Sequence, residues 1–332
     1  MARPSFPATL PGFFDRFRDE RAAFEYLIEA RWEGRGFVCP KCRSDAAYAH
    51  EKRMRLECRA CGYQLSATAG TVMHRSKMPL RSWLLAAWLV VTDKRGLSAA
   101  QLQRQLGCSY ETAYMMLQKL RAGMVAPDRD LLAGTVEVDE TYIGSGKRGR
   151  PDEEAPEKML VIGAVETRHS PKTGRHYPTR LRFRQIEGRG AVELELFVAE
   201  TIEEGSTVIT DGLKEYSGIV PYGYKRAVQI AGRGGVTKAD VLKHFHLAVS
   251  NLKAWLMGTH HGAVSKKHLQ AYLSEYAFRF NRRGNLYAAF ARVLGIGTNA
   301  RGPTYAEIYA AAGEPGGWAH PDPAGRKRKG SR

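Results

Sequence analysis

Four cysteines of the sequence are spaced as a metal site requires. They form two C-x2-C pairs, Cys39 with Cys42 and Cys58 with Cys61, and fifteen residues separate the pairs. Each pair places two thiolates on one tight turn, and two such turns complete the tetrahedral shell of a structural zinc ion. Because that shell has no open coordination position, we predict structural Zn²⁺ here and no chemistry at the metal. Cys108 lies outside the set and is predicted to be an ordinary buried side chain.

Two aspartates are candidates for a second, catalytic metal site. Asp139 lies in the alternating pattern VEVDET, which places Glu137 and Asp139 on one face of a strand, and Asp211 ends the strand pattern STVITD. In a mixed sheet the two carboxylates could meet at one edge and hold Mg²⁺ or Mn²⁺. Such a pair predicts metal-dependent cleavage and joining of phosphodiesters, because that reaction uses cations to stabilise the attacking and leaving oxygens.

The elements that must position these aspartates can be read from the same part of the chain. TVEVDETYIG, MLVIGAVET and TRLRFRQIE are predicted strands, EGRGAVELELFVAETI a helix and STVITD a fourth strand. Three strands, a helix and a further strand, with helices after them, are typical of an RNase H-like sheet. We therefore expect an α/β catalytic core of that kind.

A helical region precedes the sheet. Ser98 and Ser109 are each placed to cap a helix, and Gly107 separates the two helices. Two short helices joined at a glycine predict a helix-turn-helix, with an ordinary helical hairpin as the alternative. The second helix would then read DNA. The predicted base contacts are Tyr110, Glu111, Thr112 and Tyr114, and the predicted phosphate contacts are Lys119 and Arg121.

The charge balance favours a polyanionic partner. The chain has 332 residues, 51 Lys+Arg against 34 Asp+Glu, and a formal net charge of +17. Double-stranded DNA is the predicted partner, and the loop cations Lys147, Arg148 and Arg150 are predicted to contact its phosphates. No apolar run is long enough for a membrane helix and no secretion signal is evident, so a cytoplasmic, nucleoid-associated protein is expected.

These patterns together predict a multidomain α+β protein. The predicted parts are an N-terminal helical segment (1–35), a four-cysteine zinc ribbon (36–70), a helix-turn-helix region (76–125), an RNase H-like catalytic domain (131–284) and a C-terminal segment with a basic, disordered tail (285–332).

Three segments carry a resemblance to a known family. VEVDETYIG, VITDGLKEY and the long HLAVSNLKAWLMGTHHGAVSKKHLQAYLSEYAFRFNRR resemble the DDE-type insertion-sequence transposases that have a four-cysteine zinc ribbon at the N-terminus, over roughly Phe13 to Arg283. The resemblance implies that Asp139 and Asp211 are the first two metal-binding acids. It also implies that Lys253 is the basic residue following the third catalytic position.

The third catalytic position departs from the commonest family pattern. Related branches have a glutamate seven residues before the lysine, where this chain has His246. The branch with GTHHG and FRFNRR is similar in lacking that glutamate, and asparagine is commonly named as its third residue, so Asn251 is the second candidate. Neither side chain supplies a carboxylate charge, which predicts weaker Mg²⁺ binding or a preference for Mn²⁺. Glu275 is a further acid that could compensate, or could pair with a neighbouring arginine.

The function implied by the resemblance is transposition of an insertion sequence. The protein is expected to bind terminal inverted repeats, hydrolyse DNA at the element's ends and join the freed 3′-OH to target DNA, without a covalent protein–DNA link. A homodimer or higher oligomer is expected because two ends must be paired. The alternative is a catalytically inactive DNA-binding protein derived from a transposase. A stand-alone nuclease, which would cut without joining, is a third possibility.

Overall fold

The computed structural model describes residues 6–32, 36–125, 129–144, 158–235, 237, 239–262 and 264–295. They divide into two compact units, one with the described residues of 6–124 and 284–295, the other with those of 125–283. The predicted phosphate contacts Lys147, Arg148 and Arg150, and the predicted basic tail, lie outside the described residues. In the described part of the chain, no helix has the length and apolar character that crossing a membrane requires.

The first unit is helical except for one small antiparallel sheet of order β1-β2-β3. Helix α9 belongs to it because α9 packs against α3 and α5, which the sequence did not indicate. The elements of this unit are α1 (Leu10–Arg16), α2 (Glu20–Arg31), β1 (Ala47–His50), β2 (Arg55–Cys58), β3 (Gln64–Ser66), α3 (Leu80–Thr92), α4 (Ala99–Leu106), α5 (Tyr110–Met124) and α9 (Leu286–Val293).

Helices α4 and α5 begin and end as the sequence predicts. The hydroxyl of Ser98 accepts the backbone N–H of Gln101 at 3.2 Å, and that of Ser109 accepts the N–H of Thr112 at 3.2 Å. Both are N-caps, which satisfy backbone donors that have no partner inside the helix. Gly107 ends α4 in the left-handed region with φ 63°, a conformation that glycine adopts without strain. Two helices joined by a three-residue turn are therefore confirmed.

The second unit is built on a five-stranded sheet of order β6-β5-β4-β7-β8. Strands β4, β5 and β6 are antiparallel neighbours, whereas β7 is parallel to both β4 and β8. The elements are β4 (Thr135–Ile143), β5 (Met159–His169), β6 (His176–Ile186), α6 (Ala191–Thr201), β7 (Thr207–Thr210), a 3₁₀ helix (Lys214–Tyr222), β8 (Lys225–Val228), α7 (Lys243–His260) and α8 (Lys266–Asn281). The predicted run of three strands, a helix and a strand is confirmed, and β8 is an addition.

Helices cover both faces of this sheet, so a hydrophobic core lies on each face. Successive side chains of β4 point alternately into these two cores. Val136 and Val138 pack with α6 and the 3₁₀ helix in one core. Glu137 and Asp139 point to the other face, where α7 and α8 pack around Phe245. The polar side chains of β4 are thus directed toward α7, which carries the candidate third position.

The edge strand β6 is covered by two amide side chains of α8. Gln270 and Asn281 each exchange two hydrogen bonds with the β6 backbone, at Phe183 and Gln185 for the first and at Leu181 for the second. Unpaired edge strands invite association with other chains, so these amides protect the edge. The HLQ and FRFNRR parts of the long segment therefore have a structural role.

Candidate metal centres

The four cysteine sulfurs converge as the zinc prediction requires. The Sγ atoms of Cys39 and Cys61 are 3.7 Å apart, and those of Cys42 and Cys58 are 3.5 Å apart. A tetrahedral shell with Zn–S bonds of about 2.3 Å places its sulfurs about 3.8 Å from one another. All four ligand atoms lie within 4.8 Å of one another. The geometry and the thiolate donors therefore fit a structural zinc ion.

Each cysteine pair lies on a turn closed by the backbone. The carbonyl of Cys39 accepts the N–H of Arg43, and that of Cys58 accepts the N–H of Gly62, both at 2.9 Å. The last residue of each turn has a left-handed backbone conformation, with φ 63° at Arg43 and 65° at Gly62. Burial opposes ionisation of Cys58, but the backbone N–H groups of Cys61 and Ala60 lower its pKa to about 6. The turn at Cys58 thus stabilises its thiolate, which is the form that binds a metal.

The two predicted acids lie close enough to influence each other. Asp139 is on β4, and Asp211 follows β7, the parallel neighbour of β4. Burial raises the pKa of Asp139 to about 6, and the charge of Asp211 also raises it; the N–H of Glu140 and the guanidinium of Arg189 act in the opposite direction. A half-buried carboxyl beside a second carboxylate is an environment that a divalent cation relieves. The donor chemistry of this pair fits Mg²⁺ or Mn²⁺.

A buried contact fixes the segment that follows Asp211. Tyr216, in the 3₁₀ helix, is fully buried and donates its hydroxyl hydrogen bond to Glu140, the neighbour of Asp139. Arg189 pairs with the second oxygen of Glu140 at 3.5 Å. The contact joins the residue after the first acid to the helix after the second acid. Sequence reasoning missed Glu140 and Tyr216, although both lie in segments that carry the family resemblance.

Glu137 connects β4 to the start of α7. Its Oε2 accepts the N–H of Phe245 at 2.7 Å, and its Oε1 lies 2.7 Å from Nδ1 of His244. The carboxylate thus acts as an N-cap from another element, where the helix dipole also favours negative charge. The residue before the helix, Leu242, has φ 43° and provides no side-chain cap. The strand alternation already placed Glu137 on the face of Asp139, but its capping role depends on the tertiary fold.

The two candidates for the third position project from different sides of α7. With about 100° of rotation per residue, Lys253 lies about 20° from His246 and Asn251 about 140° from it. His244 lies on the same side of α7 as Asn251, and its Nε2 atom is 3.1 Å from the carbonyl oxygen of His176 on β6. The other ring nitrogen of His244 lies 2.7 Å from Glu137 on β4, so this side of α7 contacts both strands. These contacts leave both His246 and Asn251 as candidates for the third position.

The acidic centre is open compared with the zinc ribbon. Among the residues that the structure describes, the four cysteines are the one set of three or more His, Cys, Asp or Glu residues whose ligand atoms lie within 4.8 Å of one another. Asp139, Asp211 and His246 therefore do not form a closed shell. Glu275 is buried at 2% exposure and pairs with Arg279 at 3.9 Å. The alternative that it pairs with Arg279 is confirmed, but the expectation that the pair lies at the surface is wrong, because the two side chains are only 2% and 13% exposed.

The start of α5 presents the side chains predicted to contact bases. Tyr110 is 53% exposed and stacks on Tyr114 with 6.3 Å between ring centroids. Glu111 is exposed, and Thr112 is half-buried with its hydroxyl 2.9 Å from that of Ser109. These four residues are accessible enough for the predicted role, which remains a prediction.

The two predicted phosphate contacts farther along α5 need correction. Arg121 is 3% exposed, so its guanidinium is inside the helical core. Lys119 is half-buried and donates to the carbonyl of His74 at 2.9 Å, and burial lowers its pKa. The reason is that α3, α4 and α9 all pack against α5, which leaves its second half without a free face. Neither cation is presented to DNA in this structure.

The structure thus defines a zinc-ribbon protein whose second unit has an acidic pair on a helix-covered mixed sheet. Residues 131–281 match the family described as ISXO2-like transposase domain, and residues 18–64 match the family described as transposase zinc-ribbon domain. A protein of Halobacterium salinarum, described as an uncharacterized protein in transposable element ISH50, is 28% identical over 283 residues, which cover 79% of this chain and 91% of that protein. The chain is thus similar to insertion-sequence transposases in its zinc ribbon and in its second unit, and to this protein of a transposable element along most of its length.

Proposed function

We propose that this transposase binds the terminal inverted repeats of its element and catalyses metal-dependent DNA cleavage and strand transfer. The observation that carries the proposal is the pair Asp139 and Asp211, on parallel neighbours of one sheet and close enough for one charge to raise the pKa of the other carboxyl. Paired acids of this kind hold the cations used in phosphoryl transfer. The matched transposase domain includes both residues.

The architecture of the second unit supports an RNase H-like assignment. Three antiparallel strands, a crossing helix and two further strands parallel to the first give the order β6-β5-β4-β7-β8. The two acids lie on β4 and at the carboxyl end of β7, at the centre of the sheet. Adjacent parallel strands meet at one edge, which is where ligands bind in open sheets. This topology therefore supports the proposed position of the site.

The residues have distinct proposed roles. Asp139 and Asp211 would hold Mg²⁺ or Mn²⁺, which supplies charge stabilisation and an activated water when bound. His246 is the preferred third active-site residue, because it shares one side of α7 with Lys253, whereas Asn251 lies about 140° around the helix from it. Lys253 lies on the side of His246 and is exposed, so we assign it a contact with a DNA phosphate near the scissile bond.

The first unit would supply DNA recognition. Its zinc ribbon and the exposed start of α5, with Tyr110 and Glu111, are the proposed contacts with the inverted repeat. The net charge of +17 favours duplex DNA at any sequence, so base contacts must add the specificity. We also propose that the protein acts as a dimer or higher oligomer, since joining requires two element ends.

A cleavage and strand-transfer assay tests the proposal. Duplexes with the terminal sequence of the element, taken from the DNA flanking its gene, are incubated with Mg²⁺ or Mn²⁺. Asp139→Ala and Asp211→Ala should each abolish cleavage and joining, and Asp240→Ala is the matched control, an exposed aspartate that bonds Thr237. His246→Ala should reduce product by about 100-fold or more, whereas Asn251→Ala should have a small effect.

The possible outcomes separate the proposal from its alternatives. Cleavage without joined product would indicate a nuclease, and DNA binding without any product would indicate a protein that has lost catalysis. Activity that survives both aspartate changes would remove the catalytic assignment. If Asn251→Ala abolishes product and His246→Ala does not, Asn251 is the third active-site residue and the assignment of His246 is wrong.

A further inference from the structure

A basic cavity lies beside the acidic pair in the second unit. Its volume is about 310 Å³, near the lower limit of about 300 Å³ for ligand pockets. The side chains that could recognise a ligand are Tyr142, Lys158, Gln185, Glu187, Arg189 and Lys266. Three cations against one carboxylate give the cavity a positive field, which favours a phosphate group.

The cavity is connected to the candidate active site through Arg189. This guanidinium pairs with Glu140 at 3.5 Å and lies 5.5 Å from the ring centroid of Tyr142. Its charge also lowers the pKa of Asp139, although burial has the larger, opposite effect. Tyr142 is three residues after Asp139 on β4, about 10 Å along the strand, and the odd spacing places the two side chains on opposite faces of the strand. The cavity is thus close to the acidic pair through Arg189, which contacts both Tyr142 and Glu140.

The walls of the cavity are fixed before any ligand binds. Both carboxylate oxygens of Glu193 accept backbone N–H groups of the loop before Arg189, from Glu187 and Gly188, at 3.1 Å each. Lys266, at the start of α8, pairs with Glu187 at 2.9 Å. A loop held by these bonds at Glu187 and Gly188 loses less entropy on binding than a free loop, which favours a preformed site.

Tyr142 gives the cavity an aromatic surface as well as charge. It is 48% exposed at the mouth of the cavity, with the Arg189 guanidinium beside its ring. Exposed aromatic rings next to cations are the usual platform for an unpaired base, because every base can stack on them. The combination of a stacking surface with three cations matches one nucleotide better than it matches a free anion.

We propose that this cavity binds a single nucleotide of the element-end DNA, close to the scissile phosphate. The base stacks on Tyr142. The phosphates on the two sides of this nucleotide contact Lys158, Arg189 and Lys266. The proposal rests on the proposed transposase function, because it names the part of the DNA that the second unit holds during cleavage. It assigns the cavity a role in placing the strand end relative to Asp139.

The test uses element-end duplexes with 2-aminopurine at single positions near the cleaved bond, without added divalent cation. With the wild-type protein, fluorescence should rise at one position as that base leaves the helical stack. Tyr142→Ala should abolish the rise, and Lys158→Gln should weaken binding about 10-fold and reduce the salt dependence by about one phosphate contact. The matched controls are Tyr177→Ala, 45% exposed on β6, and Lys172→Gln in the exposed β5–β6 turn.

The pocket proposal is overturned if no position brightens, or if the rise persists in Tyr142→Ala. Circular dichroism and thermal unfolding establish that each variant is folded. A parallel strand-transfer reaction with wild-type protein keeps the two proposals apart. If the wild-type protein forms joined product and Tyr142→Ala gives the same fluorescence rise as the wild type, only the proposed role of the cavity is overturned. Absence of product removes the transposition proposal, and the fluorescence series then still decides whether the cavity binds a nucleotide.

Discussion

The two candidate metal centres are built in opposite ways. The zinc ribbon brings four sulfur atoms within 4.8 Å of one another on turns that its own backbone closes. The acidic centre has two carboxylates on different strands, and its third candidate is on a helix. Structural metal sites are closed and catalytic sites keep positions open for water and substrate. The difference between the centres is therefore the difference between a site that stabilises the fold and a site whose open positions suit the proposed chemistry.

The largest predicted effect is on the closed centre. Cys58→Ser should remove zinc and unfold the ribbon, since zinc binding contributes about 10 kcal/mol or more to such small folds at neutral pH. The only buried leucines in the ribbon sheet are Leu56 and Leu65 among the described residues, so little apolar burial remains without the metal. Zinc content and backbone NMR spectra measure the loss. Cys108→Ser is the control and should keep one zinc per chain; a folded, zinc-loaded Cys58→Ser protein would contradict the prediction.

The second prediction concerns the repulsion in the open centre. The folded-state pKa of Asp139, about 6, is above its ordinary value of 3.8. The folded protein therefore binds a proton more readily than the unfolded chain, and stability falls as pH rises from about 4 to 6 and stays lower above that range. Asp139→Asn should raise the unfolding free energy by about 1–3 kcal/mol at pH 8, without added divalent cation, and leave it unchanged at pH 4.

Urea unfolding at the two pH values measures this effect. Asp240→Asn, at an exposed position, is the control and should change little at either pH. Added Mn²⁺ should stabilise the wild-type protein and not Asp139→Asn, because the cation binds only the folded site. Equal stability of wild type and Asp139→Asn at pH 8 would show that the acidic centre stores no repulsion, and the contrast with the zinc ribbon would be weaker.

The features that the sequence could predict are those determined within one short segment, as in the zinc ribbon. The zinc ligands were predictable because their spacing is local and the geometry of each turn is set by five residues. The caps Ser98 and Ser109 were predictable for the same reason. The order of the strands and of the helix along the chain could be inferred from the alternation of apolar and polar residues and from the connections between them. In these cases the information lies within a few residues of the feature itself.

The parts that sequence could not predict depend on contacts between distant segments. Arg121 follows a helical pattern that allows exposure, but α9, more than 160 positions away, packs over α5 and encloses it. Glu137 caps a helix that begins over 100 residues later. Tertiary packing decides each of these.

The third and smallest prediction tests whether the open centre depends on its neighbours. Tyr216→Phe removes the hydroxyl that bonds Glu140 and leaves a buried carboxylate with one donor fewer. The unfolding free energy should fall by about 1–3 kcal/mol. We expect strand transfer to fall about 10-fold with unchanged DNA affinity, because the hydrogen bond joins the segments that follow the two acids. Product yield per bound complex is the measurement.

Tyr224→Phe is the matched control for that change. Tyr224 is also buried, and its hydroxyl donates to the carbonyl of Ile202 at 3.0 Å, in the same core but without contact to Glu140. It should lose similar stability and keep its strand-transfer activity. If both variants lose activity equally, the effect is one of general stability and the acids need no support from Tyr216. If Tyr216→Phe alone loses activity, the acidic centre is positioned by hydrogen bonds around it, whereas the zinc ribbon is positioned by its own ligands.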